Sequence, residues 1–464
     1  MERRSFIKNS SKAIAGSILL PTVASTLNSC DYTSDEVSNE KAKWQNWSGL
    51  QKCNPKEFAS PADENQLADA LKKAEKVRIV GTGHSFMPLV PTDHTMINID
   101  QFNGIVSSDK ENLTATIKGG TKLSQLNREL DEIGQAIYSL PDIFYQTLAG
   151  SIATGTHGTG KKYGAIHSYV QALKLMTPKG ELLECNANKN AELFEAAKVS
   201  LGALGVVTEI TLQNRKSYNL HRKVTVYKIE DLLDKAQNYF DTCEHFELYY
   251  IPGTGASIAV AHTLLDEEIT SKPRKTEDES AIKDLKLARD LLSWSPYLRG
   301  KVLEIFFSFG QVIDEAKDKS WRLLSQPRIT KFNESEFHVD SAVGIKCFKE
   351  VIAKMDTIKD AYFPIEFRWI KGGDNAWLSP FQGHPESCSI AIHADATERY
   401  QYLVDDFRSI FKKYDARPHW GKLNTCKKED FTRLYPKFND FNQIRQEIDP
   451  NGKMLNNYLN GIFG

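Results

Sequence analysis

Residues 77–86 read VRIVGTGHSF, and residues 147–160 read TLAGSIATGTHGTG. In the first stretch, a run rich in β-branched residues predicts a strand at 77–80 that leads directly into two glycines and His84. Glycines let a backbone turn sharply and approach a bulky anion closely. The second stretch is built from small residues, which is typical of a backbone that lies close to another group. Together the two stretches predict a phosphate-bearing cofactor held from two sides, with His84 directed at it.

Length and composition set the broad class of the protein. At 464 residues the chain is too long for one typical core, which indicates roughly two to three domains. Its content of 41% hydrophobic and 26% charged residues is that of a soluble globular protein. A formal net charge of −1 provides no bulk basic field to attract nucleic acid. We therefore expect no nucleic-acid partner.

The N-terminus has the features of an export signal. Arg3 and Arg4 precede an apolar stretch at 13–24 that is too short, and too rich in Ser and Ala, to span a membrane. The arginine pair resembles a twin-arginine signal, and residues 27–30, LNSC, resemble a lipobox. A plain secretory signal and a disordered amphipathic start are the alternatives.

The twin-arginine and lipobox interpretation divides the N-terminal region into two parts. Residues 1–29 are a cleaved signal, and residues 30–43 are a tether that begins with a lipidated Cys30. The mature protein would then be exported and lipid-anchored, at the periplasmic face of a bacterial membrane or at the cell surface. The lipid would be its only membrane contact.

The remaining cysteines are scattered and do not form a metal motif. None of them belongs to a CxxC pair, so the sequence predicts no zinc site and no other metal. Scattered cysteines in a domain of this size are more often buried apolar residues, although an exported chain could pair some of them. The six are Cys53, Cys185, Cys243, Cys347, Cys388 and Cys426.

The order of elements predicts an α+β fold. Strands and helices mix without strict βαβ alternation, which argues against a doubly wound sheet. The first half contains a helix at 65–76 and a hairpin at 170–176 and 181–185 around Pro178-Lys179-Gly180. The second half begins near residue 215. Its predicted elements are strands at 224–227, 246–251, 364–370 and 389–394, helices at 230–239, 343–358 and 398–413, and a charged surface excursion at 266–284.

Four sequence blocks carry a family resemblance. They are VRIVGTGHSF; QTLAGSIATGTHGTG with the later LGALGVVTEITL; PIEFRW; and RPHWGK followed by DPNGKMLN. In this order and spacing the chain resembles the sugar (aldonolactone or alditol) oxidases of the vanillyl-alcohol-oxidase flavoprotein superfamily, from about Trp44 to the C-terminus. The resemblance implies a PCMH-type FAD-binding domain of two subdomains at 44–214. An α+β substrate (cap) domain with an antiparallel sheet would follow at 215–464.

The resemblance also implies which residues bind FAD. The first contact loop would comprise Val80, Gly81, Thr82, Gly83, His84 and Ser85 around the pyrophosphate. The second stretch would comprise Ala149, Gly150, Ser151, Thr154, Gly155, Thr156, His157 and Gly158, with Val207 on the adenine side.

His84 matches the histidine that, in the resembled family, bonds covalently to the 8α-methyl carbon of the flavin. Some relatives add a second bond from a cysteine, but residues 140–148 contain none, so a single bond through His84 is implied. The alternative for His84 is a histidine that only satisfies a turn. For His157 the alternative is a buried structural histidine.

Strand alternation and the resemblance together indicate the substrate side. In PIEFRW, Glu366 and Arg368 share one face of a strand, opposite Ile365, Phe367 and Trp369. A surface salt bridge is the alternative, although the flanking apolar residues argue against exposure. In the resembled enzymes this pair meets the sugar hydroxyls and the flavin.

Two further residues match positions at the site of the resembled family. His393 matches a histidine that faces the substrate, with a satisfied core histidine as the alternative. Lys422 matches a lysine near the reactive edge of the flavin, where a cation stabilises the anionic reduced ring. Asp395 stands where some alditol oxidases carry threonine, so polyol contacts do not carry over at that position.

The resulting hypothesis is a two-electron alcohol oxidation. Hydride leaves the substrate carbon for FAD, His393 or Glu366 takes the hydroxyl proton, and Arg368 and Lys422 balance the developing charge. Dioxygen would reoxidise the flavin and yield hydrogen peroxide. A dehydrogenase that passes electrons to a carrier, a non-catalytic sugar-binding lipoprotein and a nicotinamide-using reductase are the alternatives. The sequence leaves open which sugar lactone or polyol is oxidised, and it leaves the oligomeric state open.

Overall fold

The structure is a computed structural model that describes residues 44–269, 280–292, 295–304 and 307–464. The predicted signal, the lipidation site at Cys30 and the tether lie outside these residues, as does the middle of the predicted excursion. Among the described residues, no helix combines the length and the hydrophobicity that crossing a bilayer requires.

The N-terminal half contains two main sheets. A three-stranded parallel sheet has the strand order Glu57–Ala59, Thr95–Asn98, Val77–Val80. A five-stranded antiparallel sheet has the order Leu182–Asn186, Val170–Met176, Val206–Gln213, Thr114–Lys118, Ile105–Asp109. Two small two-stranded sheets pair Trp44–Gln45 with Lys52–Cys53, and Gln135–Ala136 with Arg215–Lys216.

Helices cover these sheets through amphipathic faces. In the helix Glu64–Lys73, Leu67 and Leu71 are fully buried, and Asp63 caps the first turn by accepting from the Gln66 N–H at 2.9 Å. The other helices of this half are Leu123–Glu132, Leu148–Ala153 and Ala191–Lys198, with a short 3₁₀ turn at Ile166–Tyr169. This packing fixes the direction in which the strand Val77–Val80 delivers the loop that follows it.

The C-terminal half is built on one eight-stranded sheet, called the large sheet below. All of its pairings are antiparallel. The strand order is Val312–Lys319, Asn219–Lys228, Ala256–Leu265, His245–Tyr250, Ile365–Lys371, Glu386–Asp395, Phe332–Asp340, Arg417–Pro418.

The large sheet has one apolar face and one polar face. The helices Ile229–Thr242 and Ser341–Met355 pack on the apolar face. There the rings of Phe240 and Phe348 lie 6.0 Å and 4.8 Å from that of Phe367. Because these helices cover one side, the alternate side chains of the central strands all project from the other side.

Shorter helices complete the C-terminal half. They are Ser280–Leu291, Pro296–Glu304, Ser320–Leu324, Tyr402–Asp405, Arg408–Lys413, Lys428–Leu434, Phe438–Ile448 and Asn457–Phe463.

Three sequence-based expectations need correction. The strand Phe332–Asp340 was not expected, because its charged residues resemble those of a solvated loop. In the structure the first eight of its nine residues are buried. The predicted helix at 398–413 is two short helices, Tyr402–Asp405 and Arg408–Lys413. The end of the predicted excursion is the start of the helix Ser280–Leu291.

Candidate active site

A cleft lies where the loop after strand Val77–Val80 meets the start of helix Leu148–Ala153. Thr147 caps this helix, and a Cβ placed on Gly81 would lie 2.5 Å from the Thr147 Oγ1. Gly83 has φ +70°, in the left-handed region that favours glycine. The glycines of the first stretch therefore let two backbone segments approach each other more closely than side chains would permit.

Most of the predicted cofactor contacts line this cleft. They are Val80, Gly81, Thr82, Gly83, His84, Ser85, Ala149, Gly150, Thr154 and Val207. Ser151, Gly155, Thr156, His157 and Gly158 do not line it. Ser151, for example, turns back into its own helix and donates to the Thr147 carbonyl at 2.9 Å. Lining residues that the sequence reasoning missed include Arg78, Gln146, Leu201 and His419.

His84 lies on the wall of the cleft as a neutral imidazole. Its ring is 5.4 Å from that of Trp47, and it stacks against Tyr145 at 6.2 Å. Burial, with a smaller contribution from the nearby Lys422 cation, lowers the pKa of His84 to about 4. At neutral pH the ring therefore keeps an unprotonated nitrogen that can act as a nucleophile.

Glu366 and Arg368 lie on the polar face of the large sheet. Both side chains are buried, and Arg368 Nη2 lies 3.2 Å from Glu366 Oε2. The same nitrogen lies 2.8 Å from Glu336 Oε1 on the strand Phe332–Asp340. Burial lowers the pKa of Arg368, but the carboxylates of Glu366 and Glu336 outweigh burial and raise it. The guanidinium is thus a fixed positive charge between two carboxylates, and its Nε has no partner among the described residues.

Glu334 is the second acidic residue that the strand Phe332–Asp340 adds to the site. One carboxylate oxygen accepts a short hydrogen bond from Lys422 Nζ, and the other lies 3.6 Å from His393 Nε2. Burial raises the pKa of Glu334, but Lys422 and His393 outweigh it and lower the pKa to about 2. Glu334 is therefore an ionised side chain held between two of the predicted catalytic residues.

His393 is held in one orientation. Its Nδ1 lies 3.1 Å from the Pro364 carbonyl oxygen, which can only accept, so Nδ1 carries a proton. Burial lowers the pKa of His393, but its interaction with Glu334 outweighs burial and the net pKa is raised. Nε2 is consequently the atom that gains and loses a proton.

Glu336 collects hydrogen bonds from several strands. Its Oε1 lies 2.9 Å from His157 Nε2 and accepts a short hydrogen bond from the Ser389 hydroxyl, in addition to its contact with Arg368. Within the described ranges, one group of side chains has potential ligand atoms close enough together to hold a metal ion. It consists of His157, Glu336 and His338, whose ligand atoms lie within 4.8 Å of one another. The Arg368 guanidinium at 2.8 Å would repel such a cation, so we assign no metal here.

Asp395 and the cysteines do not belong to this cluster. Asp395 lies 3.1 Å from the Tyr362 hydroxyl and 3.3 Å from Lys286 Nζ, on the helix Ser280–Leu291. The six cysteines after Cys30 all lie in the described ranges and are unpaired there; four are buried.

The two acidic residues that were missed, Glu334 and Glu336, lie in a stretch with a visible alternating pattern. In FNESEFHVD, Glu334, Glu336 and His338 alternate with Ser335, Phe337 and Val339. The register pairs Glu334 with His393 and Glu336 with Ala391, so this strand continues the polar face. The alternation was visible, but its link to His393 is long-range and appears only in the sheet.

Two protein-family models match parts of this chain. Residues 55–186 match an FAD-binding domain, and residues 210–462 match the D-arabinono-1,4-lactone oxidase family. The L-gulonolactone oxidase of Bos taurus is 31% identical over 442 residues, covering 91% of this chain and 98% of the relative. An L-gulono-1,4-lactone dehydrogenase of Mycobacterium tuberculosis is 28% identical over 436 residues, covering 91% and 99%.

The fold also occurs in a solved structure of cholesterol oxidase from Brevibacterium sterolicum, with a TM-score of 0.72 at 13% identity over 93% of this chain and 99% of that one. This likeness confirms the predicted α+β architecture, a PCMH-type FAD fold followed by an antiparallel sheet. The family match covers more than half of the chain, and the bovine relative is similar over nearly all of it. The chain is therefore a flavin-dependent oxidoreductase that belongs to the D-arabinono-1,4-lactone oxidase family.

Proposed function

We propose that this protein oxidises a CH–OH group of an aldono-1,4-lactone, using FAD bound covalently through His84 and dioxygen as the electron acceptor. The observation that carries the proposal is the contact between the cleft and the sheet. Lys422, which lines the cleft with His84, has its Nζ 4.0 Å from Glu336 Oε2. Glu336 in turn contacts Arg368 of the Glu366–Arg368 pair. The names of the relatives favour a lactone over a linear alditol, and Asp395 is engaged by Tyr362 and Lys286.

The residues present fit FAD. The cleft is lined by backbone from two glycine-containing stretches, and a side chain on Gly81 would collide with Thr147. Backbone N–H groups of such loops bind pyrophosphate without lysines. Held by these two stretches, FAD would supply the hydride acceptor for the substrate carbon and the route for two electrons to dioxygen, with hydrogen peroxide as the product.

The residues of the chain bind the substrate and move its proton. Arg368 Nε has no partner in the part of the chain that the structure describes, which suits a substrate oxygen, while Glu366 can accept from a hydroxyl. His393 takes the hydroxyl proton at Nε2, and the ionised Glu334 beside it stabilises the imidazolium that forms. Glu366 remains the second candidate base. Lys422 supplies positive charge at the cleft.

The covalent bond and the reaction can be tested together. Acid precipitation of the purified protein should leave a yellow pellet, and His84→Ala should yield a white pellet with yellow supernatant. The wild-type protein should then form hydrogen peroxide with an aldonolactone in air. A colourless protein would support the non-catalytic sugar-binding alternative.

The electron acceptor needs a separate measurement, because the relatives include both oxidases and a dehydrogenase. After anaerobic reduction by substrate, the flavin absorbance should return within seconds of mixing with air. A flavin that stays reduced for minutes in air, but is reoxidised by an artificial carrier, would instead identify a dehydrogenase.

We further propose export and lipid anchoring through Arg3, Arg4 and Cys30. A twin-arginine route exports proteins that are already folded, so it suits a protein that must acquire its cofactor before export. Labelled palmitate should be incorporated into the wild type and not into Cys30→Ala. Replacing Arg3 and Arg4 by lysine should keep the protein in the cytoplasm, and an unchanged distribution would reject this route.

A further inference from the structure

The polar face of the large sheet continues beyond the residues assigned so far. The strand His245–Tyr250 lies next to Ile365–Lys371, with Glu247 opposite Arg368 and Tyr249 opposite Glu366 in the register. Opposite residues of an antiparallel pair project from the same face, so Glu247 and Tyr249 stand beside the Glu366–Arg368 pair.

Burial distinguishes the two faces of this strand. Phe246, Leu248 and Tyr250 are buried on the apolar face, whereas Glu247 and Tyr249 are only partly buried. Glu247 therefore keeps accessible surface beside the buried Glu366–Arg368 ion pair. Its accessibility is unlike that of Glu334 and Glu336, whose positions are filled by partners from the protein.

The two side chains offer complementary hydrogen-bonding groups. The Tyr249 hydroxyl donates to Glu366 Oε1 at 2.9 Å, and its oxygen can still accept. Burial raises the pKa of Glu247 to about 8, and the negative charges of Glu366 and Asp142 contribute to this rise. A neutral carboxyl both donates and accepts, which is the pattern that a sugar hydroxyl matches.

Charged groups of both signs act on Glu247. Besides Glu366 and Asp142, the cations Arg368 and Arg222 act on it and oppose the rise. Asp142 is itself paired with Arg328, whose Nε donates to Oδ2 at 2.8 Å. The segment that carries Asp142 continues to Tyr145, which stacks on His84, so this corner of the sheet lies near the cofactor cleft.

We propose that Glu247 and Tyr249 form a second hydroxyl-binding subsite, which holds the exocyclic side chain of the lactone while Glu366 and Arg368 hold the ring. Adjacent strands lie about 5 Å apart, so the two pairs can contact hydroxyls separated by a few carbon atoms. The inference rests on the proposed lactone oxidation. In this proposal Glu247 determines which substrate binds and takes no part in the chemical step.

The test compares two lactones on the FAD-loaded enzyme. A six-carbon aldono-1,4-lactone carries a two-carbon hydroxylated side chain, and a four-carbon aldono-1,4-lactone has none. Glu247→Ala should lower kcat/KM for the six-carbon lactone at least tenfold, mainly by raising KM, and should change the value for the four-carbon lactone by less than twofold. Tyr249→Phe should show the same selectivity with a smaller loss.

Controls separate a subsite from a fold defect. Glu247→Gln keeps a donor and an acceptor and should lose less than Glu247→Ala, and the exposed Glu132→Ala should lose nothing. Flavin content and Tm show whether each variant is folded. Equal losses on both lactones, or no loss on either, would overturn the subsite while the proposed function stands. A yellow wild-type enzyme that oxidises neither lactone would overturn the proposed function itself.

Discussion

The glycine-lined cleft and the polar face of the large sheet position atoms in different ways. In the cleft the backbone itself approaches the ligand, and the sequence marks this with glycines and small residues that are close in the chain. On the sheet, side chains from four strands converge, and residues as far apart as Glu247 and His393 share one face. The cleft therefore depends on the absence of side chains, and the sheet face depends on the balance of their charges.

The largest effect should come from removing the charge at the centre of the sheet face. Arg368→Met leaves Glu336 and Glu366 as buried carboxylates without their cation, which typically costs about 3–5 kcal/mol of stability. Loss of its donors should lower kcat/KM by roughly 10²–10³-fold. Steady-state kinetics and denaturant unfolding of the flavin-loaded protein would measure both.

A matched variant sharpens the same measurement. Arg368→Lys keeps the charge without the planar fork, so it should recover part of the stability and little of the activity. If the methionine variant were as stable and as active as the wild type, the ion cluster would not be the centre of the site.

The next effect concerns space in the cleft. Gly81→Ala places a Cβ 2.5 Å from the Thr147 Oγ1, which should cost about 1–3 kcal/mol and reduce flavin content. Gly461→Ala is the control, because a Cβ there meets nothing within 4 Å. Absorbance of the purified variants reports the bound flavin.

A second-site variant tests the cause of the Gly81 effect. Thr147→Ala removes the colliding hydroxyl and methyl groups, so the double variant with Gly81→Ala should regain flavin. A double variant that stays colourless would mean that the glycine is needed for another reason.

The same contrast explains which residues of the site could be identified from the sequence alone. His84 and the glycines around it were found because their signal lies within ten residues, and Glu366 and Arg368 were found because alternation within PIEFRW places them on one face. Glu334 and Glu336 were missed because a buried strand with charged residues looks like a solvated loop until its partners are known. Those partners, Lys422 and Arg368, are distant in sequence and are fixed only by the order and register of the strands.

Glu334→Gln should change the pH dependence of activity. Glu334 raises the pKa of His393, so an amide there should lower it. The base must be deprotonated before it accepts a proton, and activity therefore falls as the pH drops through this pKa. The acidic limb of kcat/KM should move to lower pH. Activity at the plateau of the profile should fall about tenfold, because Lys422 loses the negative charge of the carboxylate that it donates to.

The pH profile of Glu334→Asp provides the comparison. A shorter carboxylate keeps the charge, so its acidic limb should stay near that of the wild type. An unmoved limb in Glu334→Gln would point to Glu366, the other candidate, as the base.

The smallest effect should come from one hydrogen bond at the edge of the cluster. The Ser389 hydroxyl donates to Glu336, whose carboxylate also contacts Arg368 and His157. Ser389→Ala should therefore lower the free energy of unfolding by about 1 kcal/mol and the activity by less than tenfold. Ser387 lies two residues earlier on the same face, and its buried hydroxyl has no partner among the described residues. Ser387→Ala should therefore leave the Tm unchanged or slightly raised. If both variants behaved alike, the carboxylate of Glu336 would not depend on a third donor, and the face would be held by its ion pairs alone.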